Sequence, residues 1–224
     1  NRTEMGGVMA DSLQDVVSMQ RRKSGKIEAT GAEDPIGELF QVLQMQSVFY
    51  TQTHLTAPWG MAIPAMAQSL MFHFVVDGEC CVEVEGKHLA VRAGDFFMIP
   101  HGQGHNLKDR SETPCLPLFD LPIETVSGYY ETLNYGGGGK QTKLLCGAVS
   151  FDHPIAERLL ATMPPYICID SRSDREGLFL NATMAMLAAE SKVPNLGSEA
   201  VITRLADLLV IHSLRAWLAR DMGG

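Results

Sequence analysis

From Val48 to about Leu121 the chain breaks into short segments rich in Val, Phe, Ile and Thr, separated by Gly, Pro and Asp. Val48 to Leu55, Leu70 to Val76, Glu79 to Glu85, Lys87 to Arg92 and Asp95 to Ile99 all read as strands. Asp77-Gly78 is a tight hairpin signal and Glu85-Gly86 a less specific one. Many short antiparallel strands joined by close turns bury their apolar faces as a sandwich or a barrel.

The flanks differ. Residues 1–33 are polar and weakly periodic and read as a tail. Asp34-Pro35 opens a short helix on which Ile36, Leu39, Phe40 and Leu43 repeat at helical spacing. The run Gly136 to Gly139 lacks the Gly-Lys-Ser/Thr ending of a phosphate loop and reads as a flexible connector, and Lys143 to Phe151 is a further strand. Beyond Asp152-His153-Pro154 the pattern turns helical, with Leu159, Leu160 and Met163 on one helix and Tyr166 to Asp170 extended. Ser173 and Glu176 form a capping box for a helix to about Lys192, and Ser198 caps a last helix to about Arg220. The expected organisation is a tail (1–33), a β domain (34–151) and a helical segment (152–224).

A net charge of -8 argues against a surface that grips phosphate backbones, and the basic run Arg21, Arg22 and Lys23 reads as solvated tail. The five cysteines are odd in number, form no Cys-x-x-Cys pair and fit a reducing cytoplasm. No apolar run is long enough to span a bilayer or to act as a signal peptide, so no membrane partner is expected.

The stretch Gly94, five residues, Pro100, one residue, Gly102, two residues, His105 is similar to the second motif of the cupin superfamily. The resemblance implies a cupin-like antiparallel β-barrel, the double-stranded β-helix, mainly β with α, and an imidazole aimed into it. Met71 falls where the first cupin motif places its metal-binding Glu, and Pro64 to Ala67 where it places its histidines. Of the implied ligands only His105 remains, and a transition metal needs three or four. No metal and no cofactor is therefore expected. If Met71 faces the interior, strand alternation brings His73 and Val75 there too. The expected effector pocket is His73, His105 and Met71, with Trp59 and Phe97 as walls. Against this, His73 alone reads equally as a buried histidine bonded to a neighbour, and Cys146 or Cys115 joining the two histidines would make a zinc site.

On the last helix Ile202, Leu205, Leu209, His212 and Ala216 step by three or four, as a dimer seam does, although burial against the chain's own barrel gives the same pattern. Several stretches together resemble the N-terminal regulatory domain of one subgroup of AraC-type transcription regulators. They are Asp34-Pro35-Ile36, Ala57-Pro58-Trp59-Gly60, Phe72 through Glu79, Gly94 through His105, Leu145-Cys146-Gly147, Phe151 through Pro154, and Arg204 through Leu209. The resemblance implies a small-molecule effector, a two-fold homodimer and no enzymatic activity. It also implies that DNA is reached only through a C-terminal helix-turn-helix domain of roughly a hundred further residues. The chain ends at Gly224, where that domain would start, and opens on Asn1 rather than Met. A regulatory half excised from a longer protein, or a naturally short form, is expected.

Two other readings compete. A single-domain, metal-dependent cupin dioxygenase or isomerase needs a metal set or an internal acid-base pair. A structural dimerisation module needs a barrel filled by its own side chains, such as Met71, Phe72 and Phe74.

Overall fold

The computed structural model describes residues 45–151, 154–170, 175–192 and 196–222. The expected tail, the helix from Asp34, the basic run and the caps at Asp152-His153 and Ser173-Asp174 lie outside the described residues.

Among the described residues, twelve strands and three α-helices follow in order. The strands are β1 (Met45–Thr56), β2 (Gly60–Ile63), β3 (Ser69–Asp77), β4 (Glu79–Val84), β5 (Lys87–Arg92) and β6 (Asp95–Ile99), then β7 (His105–Lys108), β8 (Leu116–Pro117), β9 (Ile123–Thr125), β10 (Tyr130–Gly136), β11 (Gln141–Phe151) and β12 (Ile167–Asp170). The helices are α1 (Pro154–Thr162), α2 (Arg175–Lys192) and α3 (Ser198–Met222). A seven-stranded sheet runs β12-β6-β3-β11-β1-β10-β9 and a five-stranded sheet runs β5-β4-β7-β2-β8.

The closed barrel expected from the sequence is thus corrected to two separate sheets. The outer edge of β6 is occupied by β12, paired from Ile167↔Met98 to Asp170↔Asp95, so the larger sheet does not close onto β5. The hairpin expected at Asp77-Gly78 is corrected as well. There the chain leaves the larger sheet at β3 and enters the smaller one at β4. The true hairpin is at Glu85-Gly86, where both residues take positive φ (49° and 73°) between the paired Val84 and Lys87.

The larger sheet is buried on both faces at its centre. On β3, Leu70, Phe72 and Phe74 join a cluster with Leu180 and Met184 of α2 and Leu205 and Leu209 of α3. The alternate residues Met71 and Val75 join the layer between the sheets, with Met61, Ile63, Val82, Leu107 and Cys146. Period-two alternation sends each set to its own side, and β3 reads as the continuous apolar run of a doubly covered strand. The helices bury matching stripes: Leu180, Met184 and Leu187 on α2 step by four and three. The Tyr50 hydroxyl hydrogen-bonds Thr203 Oγ1, tying β1 to α3.

The four glycines are not a flexible connector. Gly137 and Gly139 donate backbone N–H bonds to Thr56 and Ala57 carbonyls (both 2.8 Å), and Gly138 N–H bonds Thr56 Oγ1 at 2.9 Å. A Cβ on Gly136 (φ 132°) would stand 1.9 Å from Thr56 O, and one on Gly137 2.4 Å from Pro58 Cδ. The run is a close-packed clasp around Thr56 to Pro58: Gly136, Gly137 and Gly139 leave no room for a side chain, while Gly138 faces open space but takes φ 87°, where a side chain is strained.

Candidate functional site

Between the sheets lies a cavity of about 30 Å³. β1 contributes Thr51 and Thr53, β2 Met61 and Ile63, β3 Met71 and His73, and β11 Cys146 and Ala148, with Met66 from the loop after β2. Met71 and His73 therefore line it as their alternation predicts. His105 reaches it indirectly: its Nε2 lies 2.7 Å from His73 Nε2, with the rings edge-on at 61°. Trp59 and Phe97 are fully buried in the same inter-sheet layer but do not line the cavity. Phe97 stacks on Tyr166 instead (5.8 Å).

The turn after Pro100 aims His105. Gly102 takes φ 62°, and a Cβ there would meet Met66 O at 2.0 Å, so only glycine lets the chain double back this tightly. His105 then begins β7, opposite Ile63. Its Nδ1 lies 3.1 Å from the Gln103 carbonyl oxygen. A carbonyl only accepts, so Nδ1 carries the proton. The Gln103 side chain in turn donates to Pro165 O at 2.7 Å, and the ring of His101 donates to Leu160 O of α1 at 2.8 Å. The loop that holds His105 is thereby fastened at two points, one on α1 and one on the segment joining α1 to β12.

Burial dominates the electrostatics. It holds His73 well below the usual imidazole range, and the neighbouring His105 adds to the shift. Burial lowers His105 to about 4, against a smaller opposing effect of the Gln103 carbonyl. Both rings are uncharged at neutral pH. Burial also pushes the Cys146 thiol up to about 12, so it stays protonated.

These residues do not fit a metal centre. Two imidazoles bound tetrahedrally to one ion at ordinary Zn–N lengths hold their nitrogens about 3.3 Å apart, whereas the observed 2.7 Å is a hydrogen bond. Cys146 sits across from His73 in the β3–β11 register. Cys115 lies elsewhere, near Gly60. Among the described residues no three His, Cys, Asp or Glu side chains converge to hold an ion.

The α3 stripe, read as a dimer seam or as burial against the chain's own barrel, packs within the chain. Ile202, Leu205, Leu209 and Ala216 are buried in the chain's own helix-sheet core, because α3 lies across β1 and β12 with this face inward. His212 is half-buried and stacks on Phe179 of α2 at 5.3 Å. The outward apolar positions are Leu178, Ala182 and Met186 on α2 and Val201 and Leu208 on α3. Sequence reasoning also missed Thr51, Thr53, Met61 and Met66. The only signal for the two threonines was odd-numbered alternation on β1, informative once β1 is known to lie beside β11; Met61 on β2 and Met66 in the loop after it carried none.

A family profile described as Cupin matches residues 34–219, and the chain belongs to the cupin family. Among curated proteins, an uncharacterized HTH-type transcriptional regulator of Haemophilus influenzae is 25% identical over 153 residues, which are 68% of this chain and 48% of that protein. The chain thus spans about half the length of that relative. Among solved structures, apo ToxT from Vibrio cholerae superposes with a TM-score of 0.41 at 6% identity, over 78% of this chain and 56% of that one. The cupin domain of an XRE family transcriptional regulator from Enterobacter cloacae gives 0.30 at 9% identity, over 50% of this chain and 100% of that one. Superpositions this loose carry no argument about function. Among the described residues no helix is long and apolar enough to cross a membrane.

Proposed function

We propose that this chain is the effector-sensing half of an AraC-type transcription regulator. A small molecule enters between the sheets, and the helical layer is repositioned. The chain acts in the cytoplasm as a homodimer, without cofactor or catalysis, and DNA is met through a separate helix-turn-helix domain. The HTH-type relative and the sequence resemblance support the regulatory half of this reading.

The observation that carries the sensing half is the hydrogen-bonded path from the cavity to the segment joining α1 to β12: His73 to His105, His105 to Gln103, Gln103 to Pro165. β3 offers a second route, with the cavity on one face and the α2/α3 core on the other. A ligand that prefers one arrangement of this path shifts the equilibrium between two states. Dimerisation is assigned to the outward stripe of Leu178, Ala182 and Met186 on α2. From Leu178 to Ala189 that helix carries no charge.

A metabolite panel read by thermal unfolding tests the reading. A ligand at a hundred times its Kd stabilises by about 2.7 kcal/mol, or roughly 5–10 °C for a domain of this size. Gln103→Ala should leave binding intact while cutting the ligand-induced protection of α1 and β12 in hydrogen exchange. No stabilising compound, or identical protection in the variant, would sink it.

One observation favours a second reading, a structural module whose interior is filled by its own side chains. About 30 Å³ holds little more than a water, against ~300–1,000 Å³ for ordinary ligand pockets. Three of the wall residues are Met61, Met66 and Met71. Unbranched thioethers repack readily, so the small volume describes a closed state of the sensor. The same panel separates the two readings.

A further inference from the structure

We propose that the effector is a neutral hydrogen-bond donor, of the alcohol or phenol class, received by the unprotonated Nδ1 of His73, and that carboxylates are refused. This rests on the cavity being the effector site.

The geometry fixes the direction of every proton on the path. Gln103 O can only accept, so His105 carries its proton on Nδ1 and presents a lone pair at Nε2. His73 must then donate from Nε2 across the 2.7 Å contact. A neutral His73 with its proton on Nε2 has a bare Nδ1. That atom is buried and has no hydrogen-bond partner among the described residues. The opposite arrangement would set the His105 Nδ1 lone pair against the carbonyl oxygen. The uncharged state of both rings agrees with their burial.

Among the described residues, the rest of the wall offers nothing that completes this acceptor. The Thr51 hydroxyl donates to Glu131 Oε2 at 3.2 Å. The Thr53 hydroxyl donates to Leu144 O at 3.3 Å and accepts the Leu144 N–H at 3.1 Å. No described Lys or Arg lines the cavity. A buried acceptor left unmade bears its full desolvation penalty, and a hydroxyl removes it. A carboxylate would bring lone pairs against a lone pair, and a charge into an apolar wall with no counter-ion. The free volume seats the donor group at His73, and displaced methionine side chains make room for the apolar remainder.

The test uses the ¹⁵N-labelled chain near pH 7.5 and three matched probes: phenol, toluene and benzoate. Imidazole ¹⁵N correlations should show His105 protonated on Nδ1 and His73 on Nε2. Phenol should move the His73 Nδ1 resonance and bind about tenfold more tightly than toluene, the gain of one hydrogen bond to a buried acceptor. Benzoate should bind no better than toluene. In His73→Phe the advantage of phenol over toluene should vanish. If that variant does not fold, the tautomers and the probe ranking in the unaltered chain decide. Reversed tautomers, or benzoate binding as well as phenol, overturn the proposal. Equal binding of phenol and toluene overturns it while leaving the pocket standing. Failure of every probe to move a cavity resonance removes the pocket reading and this proposal together.

Discussion

Acid should unfold this protein through its two buried imidazoles. His105 moves from 6.5 to about 4 on folding, chiefly through burial, and His73 moves in the same direction. The unfolded chain therefore takes up these protons first. Stability from the neutral pair is complete above about pH 6.5 and is lost as pH falls towards the folded values. At about pH 5 the linkage relation gives a loss of roughly 2 kcal/mol from His105 alone, and His73 adds to it. Urea unfolding at fixed ionic strength, near pH 7.5, 6.5, 5.5 and 5, reads this directly. The reference is the double variant His73→Phe/His105→Leu, whose stability should fall less over the same window, by at least about 2 kcal/mol. His54 is lowered too, by partial burial and then by Lys143, but it is present in both proteins and cancels in the difference. Glu79 and Glu83 are held low by hydrogen bonds from Lys140 and Lys108, so they titrate below the window. Equal pH slopes in the two proteins would refute the argument, because they would mean that the imidazoles are solvated or already charged in the folded state.

Packing around β11 and the helices leads to three more expectations. A Cβ on Gly147 would stand 2.5 Å from Phe72 Cζ, and that ring is stacked on Phe96 with centroids 5.7 Å apart. Gly147→Ala should cost roughly 1–3 kcal/mol in urea unfolding, and unchanged stability would mean that the ring does not lie over this glycine. Leu209→Ala, at a fully buried position, should cost about 2–5 kcal/mol. Leu178→Ser, at a position 67% exposed, should change monomer stability by no more than about 0.5 kcal/mol while shifting sedimentation equilibrium towards monomer. The reverse pattern would exchange the inward and outward faces assigned to these helices.

How much the sequence reveals depends on how far apart the interacting residues are. Alternation within β3 is local, so the sequence by itself assigns Met71, His73 and Val75 to one side. The spacing from Gly94 to His105 encodes a strand, a stop and a turn, all within twelve residues, and His105 is aimed inward as that spacing implies. Sheet assignment is not local. Asp77-Gly78 and Glu85-Gly86 are both turn dipeptides, yet one crosses between sheets and the other joins paired strands. Nothing in four residues distinguishes them, because the difference lies in which strand waits alongside. The glycine clasp misled for the same reason. Its constraint is the backbone of Thr56 to Pro58, some eighty residues away in sequence. On α3 the helical period found the buried stripe, but periodicity reports only that a face is covered, and here the cover is the chain's own sheet. The wall formed by Thr51, Met61 and Cys146 required the β1–β11 pairing and the facing of β2 from the other sheet, which no short window contains.

Strand β3 acts as a diaphragm. From Ser69 to Val75 every residue is buried, and the two sides belong to two different cores. Interiors at this packing density are nearly incompressible, so bulk added on one side is absorbed by displacement of the partition itself. A fraction of an ångström at Met71 or His73 becomes a fraction of an ångström at Phe72 and Phe74, with no hinge and no moving loop required.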